Sequence, residues 1–368
     1  MLKRAPAPLV ASDELNDCID RYLATLDPLF FPSDPFSNDV IRFFASLLRV
    51  RGIEDVDADP FGESRATLED LNRFMQIDLP EDQFPDRSST NWRLGLQFYC
   101  HIVEMSAPYE VLANLLRFRL KEGYSPNPFY KFLNSRERKR ADRYGVSTFD
   151  KLAILKKLGN RAGIDLASLI DEFYVPELRN AVTHSDYILQ KDRVISREGY
   201  PNSVLNLTYE SLDKIITAAR AFISAFFGLE LESRRSWGAC AGRALPYDRT
   251  YKGMMEVLAD GDGLMDGFKV HWPNGENSWY RRSSEAINMV NCFFDPAHET
   301  VQCFVGLYAR NPDEFSPLVE VGAPPIYSPI DRTGIPPVWD EDGSRAKQKP
   351  LRQSGGGPLF GTRVIPDN

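Results

Sequence analysis

Arg179, Asn180 and His184 fall within one short stretch, Pro176-Glu177-Leu178-Arg179-Asn180-Ala181-Val182-Thr183-His184-Ser185-Asp186-Tyr187. Arginine is a permanent cation whose planar fork fits a phosphate. Histidine exchanges a proton near neutral pH. One group that holds a phosphodiester and one that moves a proton suffice, in principle, to cut RNA without a metal. In that chemistry Arg179 neutralises the phosphate and the charge that grows on it. His184 takes the proton of the ribose 2′-OH or returns one to the leaving 5′-oxygen, and an unperturbed pKa of about 6.5 suits either step. Asn180 holds the His184 tautomer or bonds the phosphate. The structural alternatives are an ion pair from Arg179 to Glu177, Asp186 or another acid, and a histidine that meets the negative end of a helix dipole.

The elements that position these residues are legible around them. Asp165 can cap a helix whose buried stripe is Leu166, Leu169, Ile170 and Phe173. Pro176 interrupts that pattern and should kink or restart it, placing Arg179 and His184 on a fresh helix. On an ideal helix Asn180 and His184 share a face, because residues four apart do. Arg179 lies about 140° from His184 at 100° per residue. One regular helix therefore does not bring both to one phosphate without help from the long arginine. Two copies packed across a two-fold axis would, and Ala181 between them would let the backbones approach.

The string Leu-Arg-Asn-Ala-Val-x-His, with a tyrosine downstream at Tyr187, resembles the signature of the HEPN superfamily. The resemblance covers about residues 90–229 and leaves the remainder unmatched. It implies a helical domain in which paired Arg-Asn-x3-His motifs build one composite site. It also implies a metal-independent endoribonuclease leaving 2′,3′-cyclic phosphate and 5′-OH ends, in a bacterial defence or toxin/stress system. Arg179, Asn180 and His184 are then the catalytic residues and the active species is a homodimer, or a pair with a second HEPN-like subunit. The competing class is a non-catalytic HEPN-like module that binds RNA or dimerises as a sensor or scaffold.

Charge supports an RNA partner locally. The 368-residue chain carries a net −8, which argues against coating nucleic acid over the whole surface. Residues 131–161 nevertheless hold ten basic residues against Glu137, Asp142 and Asp150, a local +7 that leaves −15 for the rest. Arg136, Arg138, Lys139, Arg140 and Arg143 lead this island and are the expected RNA-binding residues. The structural alternative is a solvated helix face.

Other chemistry finds no support. Cys18, Cys100, Cys240, Cys292 and Cys303 are odd in number, show no CxxC pair and read as reduced thiols in a cytoplasmic protein. Asp260-Gly261-Asp262-Gly263 hints at calcium but lacks the later glutamate of a calcium loop, so it reads as a turn. There is no P-loop, HExxH or GxSxG, so no cofactor and no metal are expected. No run of about 18 apolar residues suggests a membrane span, and Met1-Leu2-Lys3-Arg4-Ala5-Pro6 lacks the apolar core of a signal peptide.

The expected fold class is α+β, mainly helical, in four segments. Residues 1–88 form a helical segment, with helices from Asp13 to Leu26 and Asn38 to Val50 and a loop at 54–63. Residues 89–229 form the HEPN-like domain. Its helices are capped by Ser89 or Thr90 and by Ser147, with another from Tyr109. After the motif come a hairpin turning at Lys191-Asp192 and a long helix, Thr208 to Phe227, ended by Gly228. Residues 230–309 are β-rich, with a strand at Met254–Leu258, a hairpin about Pro273-Asn274-Gly275 and another about Asp295-Pro296-Ala297-His298. Trp272, Trp279 and Tyr280 in this region are expected to pack rather than to stack on bases. Residues 310–368 form a tail with ten prolines and Gly355-Gly356-Gly357, expected to be extended or disordered. The β-rich segment or the tail is the expected contact for a protein partner.

Overall fold

A computed structural model of the chain describes residues 12–33, 43, 44, 46, 47, 60–122, 128–199, 201–242, 244–246, 254–271, 277–281, 290–295, 300–305 and 327–329. The described residues are mostly helical, with small antiparallel sheets, an α+β arrangement. By compactness the chain divides into two units. One comprises residues 1–28, 60–109 and 147–229, the other residues 29–59, 110–146 and 230–368. The segments 1–88 and 89–229 each contribute to both.

The helices are α1 (Ser12–Phe30), α2 (Pro60–Gln76), α3 (Arg87–Glu104), α4 (Ser106–Arg119), α5 (Ser135–Tyr144), α6 (Thr148–Ala162), α7 (Leu166–Phe173), α8 (Pro176–Thr183) and α9 (Tyr209–Gly238). Local chemistry sets most of their ends. Ser147 caps α6 by accepting from the Asp150 N–H, and Asp165 caps α7 by accepting from the Ser168 N–H, as their positions imply. Gly163 ends α6 with φ +71°, a conformation that favours glycine. Four residues earlier, a Cβ on Gly159 would stand 2.8 Å from the Ile164 carbonyl, so this glycine lets α7 fold back on α6.

Several expectations are corrected. The cap of α3 is Asp86 rather than Ser89 or Thr90: its Oδ1 accepts from the Ser89 N–H at 3.2 Å, which starts the helix at Arg87. The helix expected from Tyr109 starts at Ser106, because Pro108 is tolerated in a first turn. The loop expected over 54–63 gives way at Pro60, which opens α2 from the first helical position; residues 54–59 lie outside the described set. So does most of the helix expected from Asn38 to Val50, of which Phe43, Phe44, Ser46 and Leu47 are helical.

Gly228 does not end the long helix. It costs about 1 kcal/mol relative to alanine, but Leu229, Glu230 and Ser233 beyond it are buried and α9 runs on to Gly238.

In the first unit α2 packs on α3, α6 on α7, and α3 on α8. Its core includes Tyr22, Trp92, Leu96, Tyr99, Ile102, Phe173, Leu178 and Phe222. Tyr22 on α1 donates to the Leu169 carbonyl at 3.0 Å, and Arg21 pairs with Glu172, which ties α1 to α7. Strands β1 (Tyr187–Leu189) and β2 (Arg193–Ser196) form the expected hairpin. A third strand, β3 (Asn206–Thr208), joins it antiparallel to β2.

The second unit gathers Phe43, Phe44, Phe118, Trp237 and Phe268 in one aromatic cluster, with Phe44 and Trp237 edge to face at 5.0 Å. Strands β4 (Ala244–Pro246), β5 (Met254–Ala259), β6 (Met265–His271) and β7 (Asn277–Arg281) form one antiparallel sheet in chain order. Strands β8 (Val290–Asp295), β9 (Thr300–Val305) and β10 (Tyr327–Pro329) form another, in which β9 lies between the other two. Its register sets Cys292 opposite Cys303. Apart from β10, the Pro-rich tail lies outside the described residues, as do Trp272 and the side chains of Trp279 and Tyr280.

Candidate active site

Arg179 and Asn180 sit in the middle of α8, and His184 caps its C-terminus. The helix is separate from α7, as Pro176 implies: Tyr174 and Val175 are extended, and Pro176 takes the first helical position. The Val175 N–H donates to the Tyr99 hydroxyl at 3.3 Å, which anchors this entry to α3. Leu178, Ala181 and Val182 are buried, so α8 turns one face to the core and leaves Asn180 and His184 exposed.

The C-terminus of α8 closes by a paired backbone motif. The Asp186 N–H donates to the Ala181 carbonyl at 2.7 Å, and the Ser185 N–H to the Val182 carbonyl at 3.1 Å. Ser185 occupies the left-handed position at φ +55°, where glycine is usual. Asp186 then fastens the turn. Its carboxylate accepts from Arg197 Nε and from the Glu198 N–H, each at 2.9 Å. The residues on either side of His184 are thus held by backbone and carboxylate bonds. Its own ring makes no hydrogen bond to another described residue.

Arg179 has different surroundings. Its side chain is 25 % exposed and its Nε donates to Glu104, the last residue of α3. Its Nη1 donates to Asn180 Oδ1 at 2.9 Å. The guanidinium can only donate, so the amide oxygen of Asn180 is the atom that faces it. Asn180 therefore engages Arg179, and not His184 as one of its two expected roles would have it. Glu104 has a second partner: its Oε2 accepts from Thr148 Oγ1, at the start of α6, at 3.0 Å. The hydrogen bond from Arg179 to Glu104 raises the arginine pKa above its ordinary value. Burial, more than any neighbouring charge, raises that of Tyr174 nearby.

Glu177, Asp186 or another acid are the ion-pair partners that the sequence predicts for Arg179. The partner is the last of these, Glu104, 75 positions earlier in the chain. Glu177 is exposed, and Asp186 is occupied by Arg197. The only advance signal for Glu104 was the general one that a half-buried guanidinium needs an acceptor. Thr148 gave none.

The basic island is divided by its contacts. Arg136, Lys139, Arg140 and Arg143 are exposed, and Lys139 and Arg140 each lie three or four residues from both Arg136 and Arg143, so the four share one face of α5. Tyr144, 82 % exposed, ends the same helix. Arg138 lies on another face: its Nη2 donates to the Lys131 carbonyl at 3.0 Å, and the guanidinium stands 5.3 Å from the Tyr130 ring centroid. It holds the chain through these two contacts. Lys131 pairs with Glu122, Lys156 pairs with Asp171, and the buried Lys151 donates to Ser106 Oγ at 2.7 Å.

No three His, Cys, Asp or Glu side chains are grouped to hold a metal among the described residues. Asp260 Oδ1 accepts from the Asp262 and Leu264 N–H groups at 3.0 and 2.9 Å, so that carboxylate closes its own turn. Cys18, Cys100 and Cys240 are free thiols. No described helix is long and apolar enough to cross a membrane. Comparison of the chain with protein-family models, curated proteins and solved structures yields no match.

Proposed function

We propose that the protein is a metal-independent endoribonuclease of the HEPN type, cleaving RNA to 2′,3′-cyclic phosphate and 5′-OH ends. The observation that carries this reading is the arrangement on α8: an arginine oriented by two side-chain partners, with an exposed histidine at the cap of the same helix. Arg179 holds the phosphodiester and offsets the charge of the pentacoordinate transition state. His184 transfers the proton at the 2′-oxygen or the 5′-oxygen. Asn180 restrains the guanidinium. A bacterial defence, toxin or stress setting belongs to the same reading through the motif's resemblance, and a cytoplasmic one through the scattered cysteines.

Arg179 and His184 stand on different faces of a short helix, so the composite site of a homodimer, or of a pair with a second HEPN-like subunit, is part of the proposal. Mixing Arg179→Ala with His184→Ala tests it. A site that takes its arginine from one subunit and its histidine from the other regains activity in the mixed dimer, up to the fraction of intact sites that random pairing produces. Two inactive variants that stay inactive on mixing, across concentrations at which they associate, overturn the composite site.

The exposed face of α5 supplies the substrate contacts in this reading. Arg136, Lys139 and Arg143 reversed together to glutamate should weaken RNA binding and flatten its salt dependence. Each lost contact to a single strand takes about 0.7 off the slope of log K against log salt. Filter binding over a salt series reads this directly. A slope equal to the wild type's assigns α5 to solvent. Arg138→Glu, by contrast, should lower stability more than affinity, because its partners are within the chain.

A second reading has its own observation. Glu104 neutralises Arg179 within the fold, as a structural ion pair would. In that reading the protein is a non-catalytic HEPN-like module that binds RNA or dimerises as a sensor or scaffold. RNA that binds with salt dependence yet stays uncut under every buffer and RNA sequence offered favours the module.

A further inference from the structure

We propose that Glu104, held by Thr148, is a positioning residue that orients Arg179 for a phosphodiester and sets the ground-state charge it meets; the inference rests on the nuclease reading above. Four side chains from three helices form one chain of bonds. Thr148 Oγ1 at the start of α6 donates to Glu104 Oε2 at 3.0 Å. Glu104 Oε1 at the end of α3 accepts from Arg179 Nε on α8. Arg179 Nη1 donates to Asn180 Oδ1 at 2.9 Å. Each oxygen of the carboxylate therefore has a separate partner, and the buried Thr148 fixes the one that Arg179 does not use.

The arrangement leaves donors for a ligand. A guanidinium has five N–H groups. Those bonds use one at Nε and one at Nη1, and Nη2 makes no bond to another described residue. A phosphate has room for the paired recognition at which arginine excels. Orientation and charge then act in opposite directions. The carboxylate fixes the fork, which favours the transition state through geometry. Its negative charge also opposes the approach of an anionic substrate, which weakens ground-state binding. A glutamine of the same shape removes the charge and leaves at most a weaker, neutral bond to Nε, so the fork loosens as the repulsion goes, and turnover and KM should fall together. An ion pair that only stabilises the fold would move neither in a protein that stays folded.

The test compares the wild-type chain with Glu104→Gln, Thr148→Val and Thr148→Ser, using initial rates on a fluorescent RNA oligonucleotide with EDTA present. Glu104→Gln should lower kcat by about 10²-fold, the cost of misplacing a reacting group by an ångström, with a lower KM. Thr148→Val should move both in the same direction by less. Thr148→Ser, which keeps the hydroxyl, should restore wild-type values. An unchanged kcat in folded Glu104→Gln, or a raised KM with kcat unchanged, overturns the inference. If Glu104→Gln does not fold, the Thr148 pair decides: equal kinetics of Thr148→Val and Thr148→Ser overturn it. A wild-type chain that cuts no RNA removes the nuclease reading instead. The positioning role is then decided by binding of the 2′-deoxy oligonucleotide. Folded Glu104→Gln should bind it several-fold more tightly than wild type and lose that gain when Arg179→Ala is added, and equal affinities overturn the role.

Discussion

His184→Ala should lower RNA cleavage by about 10²–10⁴-fold, the usual cost of removing a general acid or base, while leaving the fold intact. The second half of this expectation comes from the surroundings of the residue. His184 is exposed, and its ring bonds to no other described residue. Surface substitutions of that kind usually change stability by no more than about 0.5 kcal/mol. A loss of activity at an unchanged melting temperature would therefore be a loss of chemistry. Arg179→Ala should be comparably inactive, since removing one preorganised electrostatic donor costs about 10²–10³-fold, but it is a less clean experiment. It leaves the part-buried Glu104 carboxylate without its cation, and an orphaned polar group costs about 1–3 kcal/mol. Arg179→Lys separates the two effects: it keeps the charge and gives up the fork, so it should recover stability more than rate. The wild-type reaction should persist in excess EDTA. Full activity in His184→Ala, or activity lost to chelator and restored by a divalent cation, would sink the proposed mechanism.

What could be read from the sequence depended on the range of the cause. Ser147, Asp165 and Pro176 act within one helical turn of themselves. Their caps and the restart at α8 follow from residue type alone. The β1–β2 hairpin was legible for the same reason, but β3 was not, because the connection from β2, residues 197–205, is too long for a tight turn to announce the pairing.

Gly228 shows where local reasoning fails. Glycine lowers helix propensity, but the buried residues after it decide the outcome, and their burial is a tertiary fact. Ser185 fails in the opposite direction: it takes a left-handed conformation that its residue type would not suggest. At the site, Arg179, Asn180 and His184 stand out as a string. Glu104 and Thr148 do not, since only the packing of α3, α6 and α8 brings them to the arginine. By charge alone the basic residues of α5 are alike, whereas Arg138 is spent on the Lys131 carbonyl and the Tyr130 ring.

Phe222→Ala should be among the most damaging single substitutions in the chain, and it tests the packing of the first unit without reference to function. Phe222 lies on α9 and is 2 % exposed. Its ring stacks on Phe173 of α7 at 4.8 Å between centroids and on Tyr109 of α4 at 6.0 Å, and meets Tyr22 of α1 edge to face at 6.4 Å. Four helices therefore converge on one ring. Truncating a buried phenylalanine costs about 3–5 kcal/mol, because the cavity adds to the lost transfer energy. Lost aromatic pairing adds about 0.5–1.5 kcal/mol for a pair. Against a typical total stability of about 5–15 kcal/mol, much of the chain's stability is at stake. Phe222→Leu keeps most of the volume and should cost far less. Phe74→Ala provides the control: that ring is 55 % exposed, so its loss should shift stability by no more than about 0.5 kcal/mol. Urea unfolding followed by far-UV circular dichroism reads all three through the midpoint at constant slope. If Phe222→Ala unfolds with the midpoint of Phe74→Ala, the ring does not join α1, α4, α7 and α9 as described, and the packing that sets α7 ahead of the α8 motif is wrong with it.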